Sequence, residues 1–283
     1  MQTTCQFLSP TRQAEILPFE TAPRPIVGFA CDYPPGLTTG MHTHPRAQLL
    51  YATSGVMRVE TPGSNYVVPP TTALFLPANA EHAICMDGPV AMRALFLRDD
   101  AATRVGGGSK VIAVSGLLRE VIIAACAEPV EWSPDGRGRH LAELALDEIA
   151  RSTALPLALA LPRDPRLRRV VFALRSRPDD MRSLEQWSEV ANASSRTLAR
   201  VFRAETGLSF RQWRQQARLT EALSALTSGV HPTKAAAIAG FNSVPAFGAA
   251  FRELFGMTPG QARSLSSGLS SLTPRATTAF GQK

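Results

Sequence analysis

Apolar and polar residues follow two different periods along this 283-residue chain. Between about residues 25 and 98, apolar positions come in short β-prone runs separated by Gly, Pro and Asn: 26–33, 48–53, 56–61, 66–68, 73–76, 82–86 and 90–97. Strands this short, with turn signals between them, predict an antiparallel barrel or sandwich. Beyond Asp99 the period turns helical. Ser115 is placed to cap a helix carrying Leu117, Leu118, Val121, Ile122 and Ala125, and after a Pro/Gly-rich break at 129–138 a second helix carries Leu141, Leu144, Ala145 and Ile149. Their apolar faces either seal the barrel or pair with the same helices of a second copy. Residues 1–22 have no strong period and are expected to form an arm.

The last third is a series of helix starts at short intervals. Ser183-Leu-Glu-Gln186 is a capping box, followed by Leu184, Trp187, Val190 and Ala191 at helical spacing. A three-residue break leads to Ser194, which can cap a helix from Ser195 to about Thr206, with Gly207 where a left-handed cap is wanted. On that helix Leu198, Val201 and Phe202 face one way, and Arg196, Ala199, Arg200 and Arg203 the other. Ser209-Phe-Arg-Gln212 opens a longer helix ending near Gly229. The pattern then recurs: Pro232 in a first turn, a break at Gly240-Phe-Asn-Ser243, and a helix with Phe247, Phe251 and Leu254 on its buried side. Thr258-Pro-Gly-Gln261 starts a short closing helix. Two helix-turn-helix units in tandem account for all of these signals.

Many of these positions, in order, match one family over about a hundred residues. The run Arg196-x-Leu198-x-Arg200-x-Phe202, Gly207-x-Ser209, Trp213, Arg218, Ala222, Leu226, Ala236 to Ala239, Gly240-Phe241, Phe247, Phe251, Phe255-Gly256 and Pro259 resembles the DNA-binding domain of the AraC/XylS family of bacterial transcription regulators. The resemblance implies double-stranded promoter DNA as partner, RNA polymerase as a further one if the protein activates, and a homodimer. It implies DNA contacts by Ser195, Arg196, Ala199, Arg200 and Arg203 in the first unit and by Asn242, Ser243, Val244, Ala246 and Arg252 in the second. Arg196 and Arg200 are the candidates for guanine edges. The second recognition helix departs from that role, because Val244, Pro245, Ala246, Gly248 and Ala249 carry no polar side chain.

Charge follows the same division. Residues 162–263 hold 16 basic and 8 acidic side chains, whereas residues 1–161 hold 12 and 15, so nearly all of the net +7 belongs to the helical part, as phosphate contact requires. No apolar run is long enough to span a bilayer, and residues 1–20 lack the apolar core of a signal peptide, so a cytoplasmic protein without membrane contact is expected. Cys5, Cys31, Cys85 and Cys126 are scattered without a CxxC pair and are expected to be reduced, unreactive thiols.

Within the β-rich part, Gly36-x5-His42-x-His44-x3-Gln48-x6-Gly55 resembles the first cupin motif, with Gln48 where that family usually has Glu. Pro77-x-Asn79-x2-His82 resembles the core of the second. In a strand, residues two apart share a face, so His42, His44 and Gln48 would point inward, with His82 arriving from a neighbouring strand. Three imidazoles and an amide oxygen suit a divalent transition metal such as Ni, Zn, Fe or Mn; the alternative is a polar pocket that binds an effector without metal. No cofactor is certain on this reading.

The expected fold is therefore α+β in two domains: a cupin-like β-barrel with two trailing helices, then an all-α double helix-turn-helix domain. The expected divisions are an arm at 1–22, an effector-binding and dimerisation domain at 23–154, a linker at 155–163, the DNA-binding domain at 164–264 and a disordered tail at 265–283. The function expected is a sequence-specific DNA-binding regulator, not an enzyme, whose barrel senses a small molecule or metal ion. A cupin metalloenzyme of dioxygenase or isomerase type fused to a DNA-binding domain is the competing reading, although no acid, base or nucleophile stands beside the histidines. An architectural DNA-binding protein would leave the barrel unexplained.

Overall fold

A computed structural model of the protein describes residues 6–7, 10–86, 88–155, 157–177 and 180–264. The β-rich part comprises β1 (Gln6–Phe7), α1 (Pro10–Thr21), β2 (Ile26–Tyr33), β3 (Leu37–Thr38), β4 (Ala47–Ser54), β5 (Met57–Glu60), β6 (Ser64–Val68), β7 (Thr72–Leu76), β8 (Ala83–Met86) and β9 (Val90–Leu97). It continues through α2 (Asp99–Val105), β10 (Lys110–Ala113), α3 (Gly116–Cys126), α4 (Arg137–Arg151), β11 (Ala154–Leu155) and β12 (Ala158–Ala160). Two six-stranded sheets result, in the orders β1-β3-β8-β5-β6-β12 and β11-β10-β7-β4-β9-β2.

The inner faces enclose one apolar core, including Leu50, Met57, Val59, Leu74, Ile84 and Met92. The second sheet is covered on its outer face as well. Leu49 and Tyr51 of β4, Phe75 of β7 and Leu95 of β9 pack there against Leu118, Val121 and Ile122 of α3 and Ala145 and Ile149 of α4. Burial on both faces explains why β4 reads as an almost unbroken apolar run. The two trailing helices thus seal one sheet, with Leu117 and Leu144 left exposed. Gly28 of β2 is required by this packing, because a Cβ there would lie 2.5 Å from the Ala125 carbonyl oxygen of α3.

Three expectations from the sequence need correction. Residues 10–21 of the expected arm are helical, and α1 packs on β2 through Phe19, whose ring meets that of Phe29 edge-on at 5.1 Å. The stretch expected to be a linker is built into the barrel. Its β11 pairs with β10 and its β12 with β6, one strand for each sheet. The turn to helix after Asp99 is also interrupted, since β10 pairs antiparallel with β7. The expected tail, 265–283, lies outside the described residues.

The helical part contains α5 (Pro165–Ser176), α6 (Leu184–Ala191), α7 (Ser195–Thr206), α8 (Phe210–Thr227), α9 (Pro232–Ile238), α10 (Val244–Phe255) and α11 (Pro259–Ser264). Ser183 and Ser209 form complete capping boxes, Ser194 and Ser243 cap α7 and α10, and Gly207 and Gly256 end those helices in left-handed conformations. Leu198 and Phe202 hold α7 from behind, in a cluster with Trp187 and Trp213. Phe247, Phe251 and Phe255 do the same for α10. Val190, one of the four apolar positions at helical spacing in the first unit, is 48% exposed.

The central helix α8 joins the two units and also docks on the barrel. The Arg58 guanidinium of β5 meets both carboxylate oxygens of Glu221 at 2.7 and 3.0 Å and donates to Ser224 Oγ at 3.1 Å. Trp213 Nε1–H donates to the Ala160 carbonyl of β12 at 2.8 Å, and Arg175 of α5 pairs with Glu60 at 2.5 Å. Truncating the core brace of α7, Phe202→Ala, should lower stability by about 3–5 kcal/mol. Val190→Ala should change it by no more than about 0.5 kcal/mol. Urea unfolding of the two variants against wild type checks both values.

Candidate nucleic-acid interface and barrel site

The basic residues of the helical part fall into two groups, separated by what they touch. Arg166 is bound to Asp164, Arg182 to Asp180 while stacking on the Trp187 ring at 3.7 Å, and Arg214 donates to the Arg182 carbonyl. Arg218 is buried and donates to the Asp180 carbonyl at 2.8 Å. It lies beneath Gly240, where a Cβ would come within 2.7 Å of its guanidinium. It thereby braces the turn of the second unit against the loop that enters the first. Gly240 also holds a φ of +72°, so both sterics and backbone call for glycine.

Arg196, Arg200, Arg203 and Arg252 behave differently. All four are exposed, and none forms an ion pair or side-chain hydrogen bond among the described residues. Ala199, Asn242, Val244 and Ala246 are exposed beside them, and Ser195 is half-buried at the start of α7. Ser243 is exposed, but its hydroxyl accepts from the Ala246 amide at 3.3 Å and so caps α10. The exposed front of α10 is largely apolar, with Val244, Pro245, Ala246 and Ala249 all open to solvent.

In the barrel, the structure brings His42, His44 and His82 together: one ring nitrogen from each lies within 4.8 Å of the other two. Their backbone setting differs from the expected strand. His42 and His44 lie in the loop after β3, and His42 is tied to His82 by an isolated antiparallel bridge just before β8. Gln48 of β4 faces the same cavity of about 240 Å³, whose other walls include Phe29, Leu50, Ile84, Met92 and Phe96.

The hydrogen bonds decide the tautomers. His42 Nδ1 contacts the Gly40 carbonyl at 2.8 Å and His82 Nδ1 the Ala80 carbonyl at 2.9 Å; a carbonyl can only accept, so each Nδ1 carries the proton. His44 Nδ1 contacts the Glu20 carboxylate. Each ring therefore keeps Nε2 as the nitrogen with a free lone pair. His82 Nε2 and Gln48 Oε1 are fully buried without a hydrogen-bond partner among the described residues.

Burial sets the protonation of the group. It drives the pKa of His44 down to about 4, reinforced by the neighbouring His42. Burial likewise brings His82 down to about 4, partly opposed by its bond to the Ala80 carbonyl. Burial raises the Glu20 carboxyl, against the opposing pull of His42 and Arg46. His44 Nδ1 and the Glu20 carboxyl are in close contact, with Nδ1 the donor when the carboxyl is ionised. The Cys126 thiol is pushed up to about 12 by burial, which fits an unreactive thiol; Cys31, Cys85 and Cys126 form no disulfide among the described residues, and Cys5 lies outside them.

Glu20 is the one member of this site that the sequence did not suggest. It sits on α1, in a stretch without helical period that also contains Pro18, and only the packing of α1 on the barrel brings it to His44.

Comparison with known proteins agrees with both halves. The helix-turn-helix domain family matches residues 187–264 and the cupin domain family residues 29–98. The HTH-type transcriptional regulator NimR of Escherichia coli K12 is 31% identical over 225 residues, which span 80% of this chain and 82% of that protein. The chain belongs to the AraC-type helix-turn-helix transcriptional regulators with an N-terminal cupin domain. RipA of Corynebacterium glutamicum is 37% identical over 99 residues, 35% of this chain and 30% of that one. Among solved structures, ToxT from Vibrio cholerae aligns over 86% of this chain and 99% of its own at 10% identity, with a TM-score of 0.37.

These relatives are named as regulators, which supports a DNA-binding regulator over a fused metalloenzyme. No helix among the described residues is long and apolar enough to cross a membrane.

The depressed imidazole pKa values give a pH dependence for the metal-free protein. The unfolded chain takes up protons near pH 6.5 that the folded barrel refuses until about pH 4. Stability should be fully present above about pH 6.5 and fall as the pH drops toward 4. Urea unfolding in chelator across that range should show the decline, and His82→Gln should make it shallower.

Proposed function

We propose that this regulator reads its operator mainly through α7, with Arg196 and Arg200 on guanine edges and Arg203 on the backbone. The observation that carries this is the contrast among the arginines: Arg166, Arg182 and Arg218 are engaged inside the fold, whereas Arg196, Arg200, Arg203 and Arg252 stand exposed on α7 and α10 without a side-chain partner among the described residues. A bidentate arginine on guanine contributes roughly 1–3 kcal/mol of discrimination. The second unit, with its apolar front, supplies phosphate contacts through Asn242, Ser243 and Arg252 and apolar contact with thymine methyls through Val244 and Ala246.

The barrel is the sensor in this reading. Three imidazoles with Nδ1 committed to internal partners, and with one ring nitrogen of each within 4.8 Å of the other two, are the donor set a divalent transition metal takes, and the orphaned His82 Nε2 and Gln48 Oε1 are otherwise unexplained costs. His42, His44 and His82 would hold the ion, with Gln48 as a neutral oxygen donor; when bound, it supplies positive charge and a coordination position open to an effector. The cavity beside the triad is where a small molecule fits. The gap between barrel and α8 is only about 50 Å³, room for a water or two.

A change in the barrel has a short route outward. Arg58 lies directly opposite Cys85 of β8, three residues beyond His82, and grips Glu221 of α8, the helix between the two DNA-reading units. A ligand acts through this route only if it binds the two arrangements with different affinity. A homodimer, with the exposed Leu117 and Leu144 of α3 and α4 at its interface, and contact with RNA polymerase belong to the same reading.

Binding to a set of base-substituted operators selected from a random-sequence pool tests the division of labour. Arg200→Ala should relax preference at one or two positions. Arg252→Ala should weaken all sequences alike and reduce the salt slope by about 1. Uniform loss with Arg200→Ala would contradict the assignment.

A further inference from the structure

The three histidines are not supported alike. His42 and His82 donate their Nδ1 protons to carbonyls two residues back in their own loops, so both rings are oriented by local chain. His44 is oriented by Glu20, 24 residues away on α1, an element that belongs to neither sheet. The α1 side of this contact is held in place independently. Arg46, two residues beyond His44, donates to the carbonyls of Glu20 at 2.8 Å and Arg24 at 3.0 Å, and also to that of Ala22. Phe19 packs on Phe29 and Phe96, and Ile16 and Glu20 together form the α1 wall of the cavity.

We propose that Glu20 is a positioning residue for metal at the histidine triad, and that through it metal occupancy and the seating of α1 over the barrel are coupled. The inference rests on the metal reading of the triad above. Its physical basis is ordinary coordination chemistry: an imidazole that gives up its Nε2 lone pair to a cation becomes a stronger Nδ1–H donor, and a carboxylate acceptor raises the basicity of the nitrogen that ligates. A carbonyl acceptor gives less of this effect than a charged one. Linkage makes the coupling reciprocal. Whatever factor Glu20 adds to metal affinity, the metal adds to the attachment of α1. The N-terminal helix, which covers the cavity, thereby carries the state of the metal site to the surface of the molecule.

The test measures zinc affinity of the full chain by competition with a chromogenic chelator, and amide exchange of α1 with and without zinc. Glu20→Gln keeps shape and an acceptor oxygen but removes the charge. It should weaken zinc about 10–100-fold, the usual consequence of losing the carboxylate behind a metal-binding histidine. It should also abolish zinc-dependent protection of α1 and shift the visible absorption bands of the cobalt-loaded protein. Ile16→Ala, on the same helix and cavity wall but without a donor or acceptor, should leave zinc affinity within about twofold and the cobalt bands unmoved. His82→Ala should eliminate the site.

Wild-type zinc affinity that survives His82→Ala overturns the triad reading and this inference together. Zinc binding that is lost in His82→Ala yet unchanged in Glu20→Gln overturns the role of Glu20 alone. Exchange of α1 that is indifferent to zinc in the wild type likewise overturns the coupling.

Discussion

A buried polar group without a partner costs several times what a single hydrogen bond contributes, and this asymmetry organises the whole molecule. Within the helical half it sorts the arginines. Arg218, buried beneath the Gly240 turn, is accommodated by the Asp180 carbonyl, and Arg182 by a carboxylate and an indole face. Cations that the fold does not use, Arg196, Arg200, Arg203 and Arg252 among them, stay in water. In the barrel the same constraint works in reverse. His82 Nε2 and Gln48 Oε1 are removed from water and meet no hydrogen-bond partner among the described residues.

The barrel and the DNA-reading units are joined more closely than by a tether. Residues 154–160 add one strand to each sheet before the chain enters α5, and Leu159 on the second of these strands is buried with Trp187 and Phe202 of the first unit. Two ion pairs, Arg58–Glu221 and Arg175–Glu60, lie across the same seam. Partly exposed pairs of this kind contribute little to stability, on the order of 1 kcal/mol each. On the sensor reading proposed above, their worth is in fixing one relative placement of the halves, the quantity an effector would change.

How much of this was legible in the sequence depended on how far apart the cooperating residues lie. The capped helices were readable because Ser183 with Gln186, Ser194 with Thr197 and Ser209 with Gln212 act within one turn. The long strands were readable because their alternation or apolar runs are local. The strands β10, β11 and β12 were not, since two to four residues carry no period of their own and become strands only by pairing with β7, β10 and β6. The histidines were visible by spacing, but the strand assigned to His42 and His44 was wrong because the bridge to His82 is a tertiary contact. Glu20 could not be seen, as its role exists only once α1 lies across the barrel mouth. Likewise the separation of bound from free arginines is invisible in a count of charges.

Arginine-directed labelling with phenylglyoxal, read by mass spectrometry with and without operator DNA, tests the sorting of cations most directly. Arg196, Arg200, Arg203 and Arg252 should react readily in the free protein and be protected in the complex, while Arg218 and Arg182 should stay slow in both. Equal reactivity of Arg196 and Arg200 in free and DNA-bound protein would contradict the account.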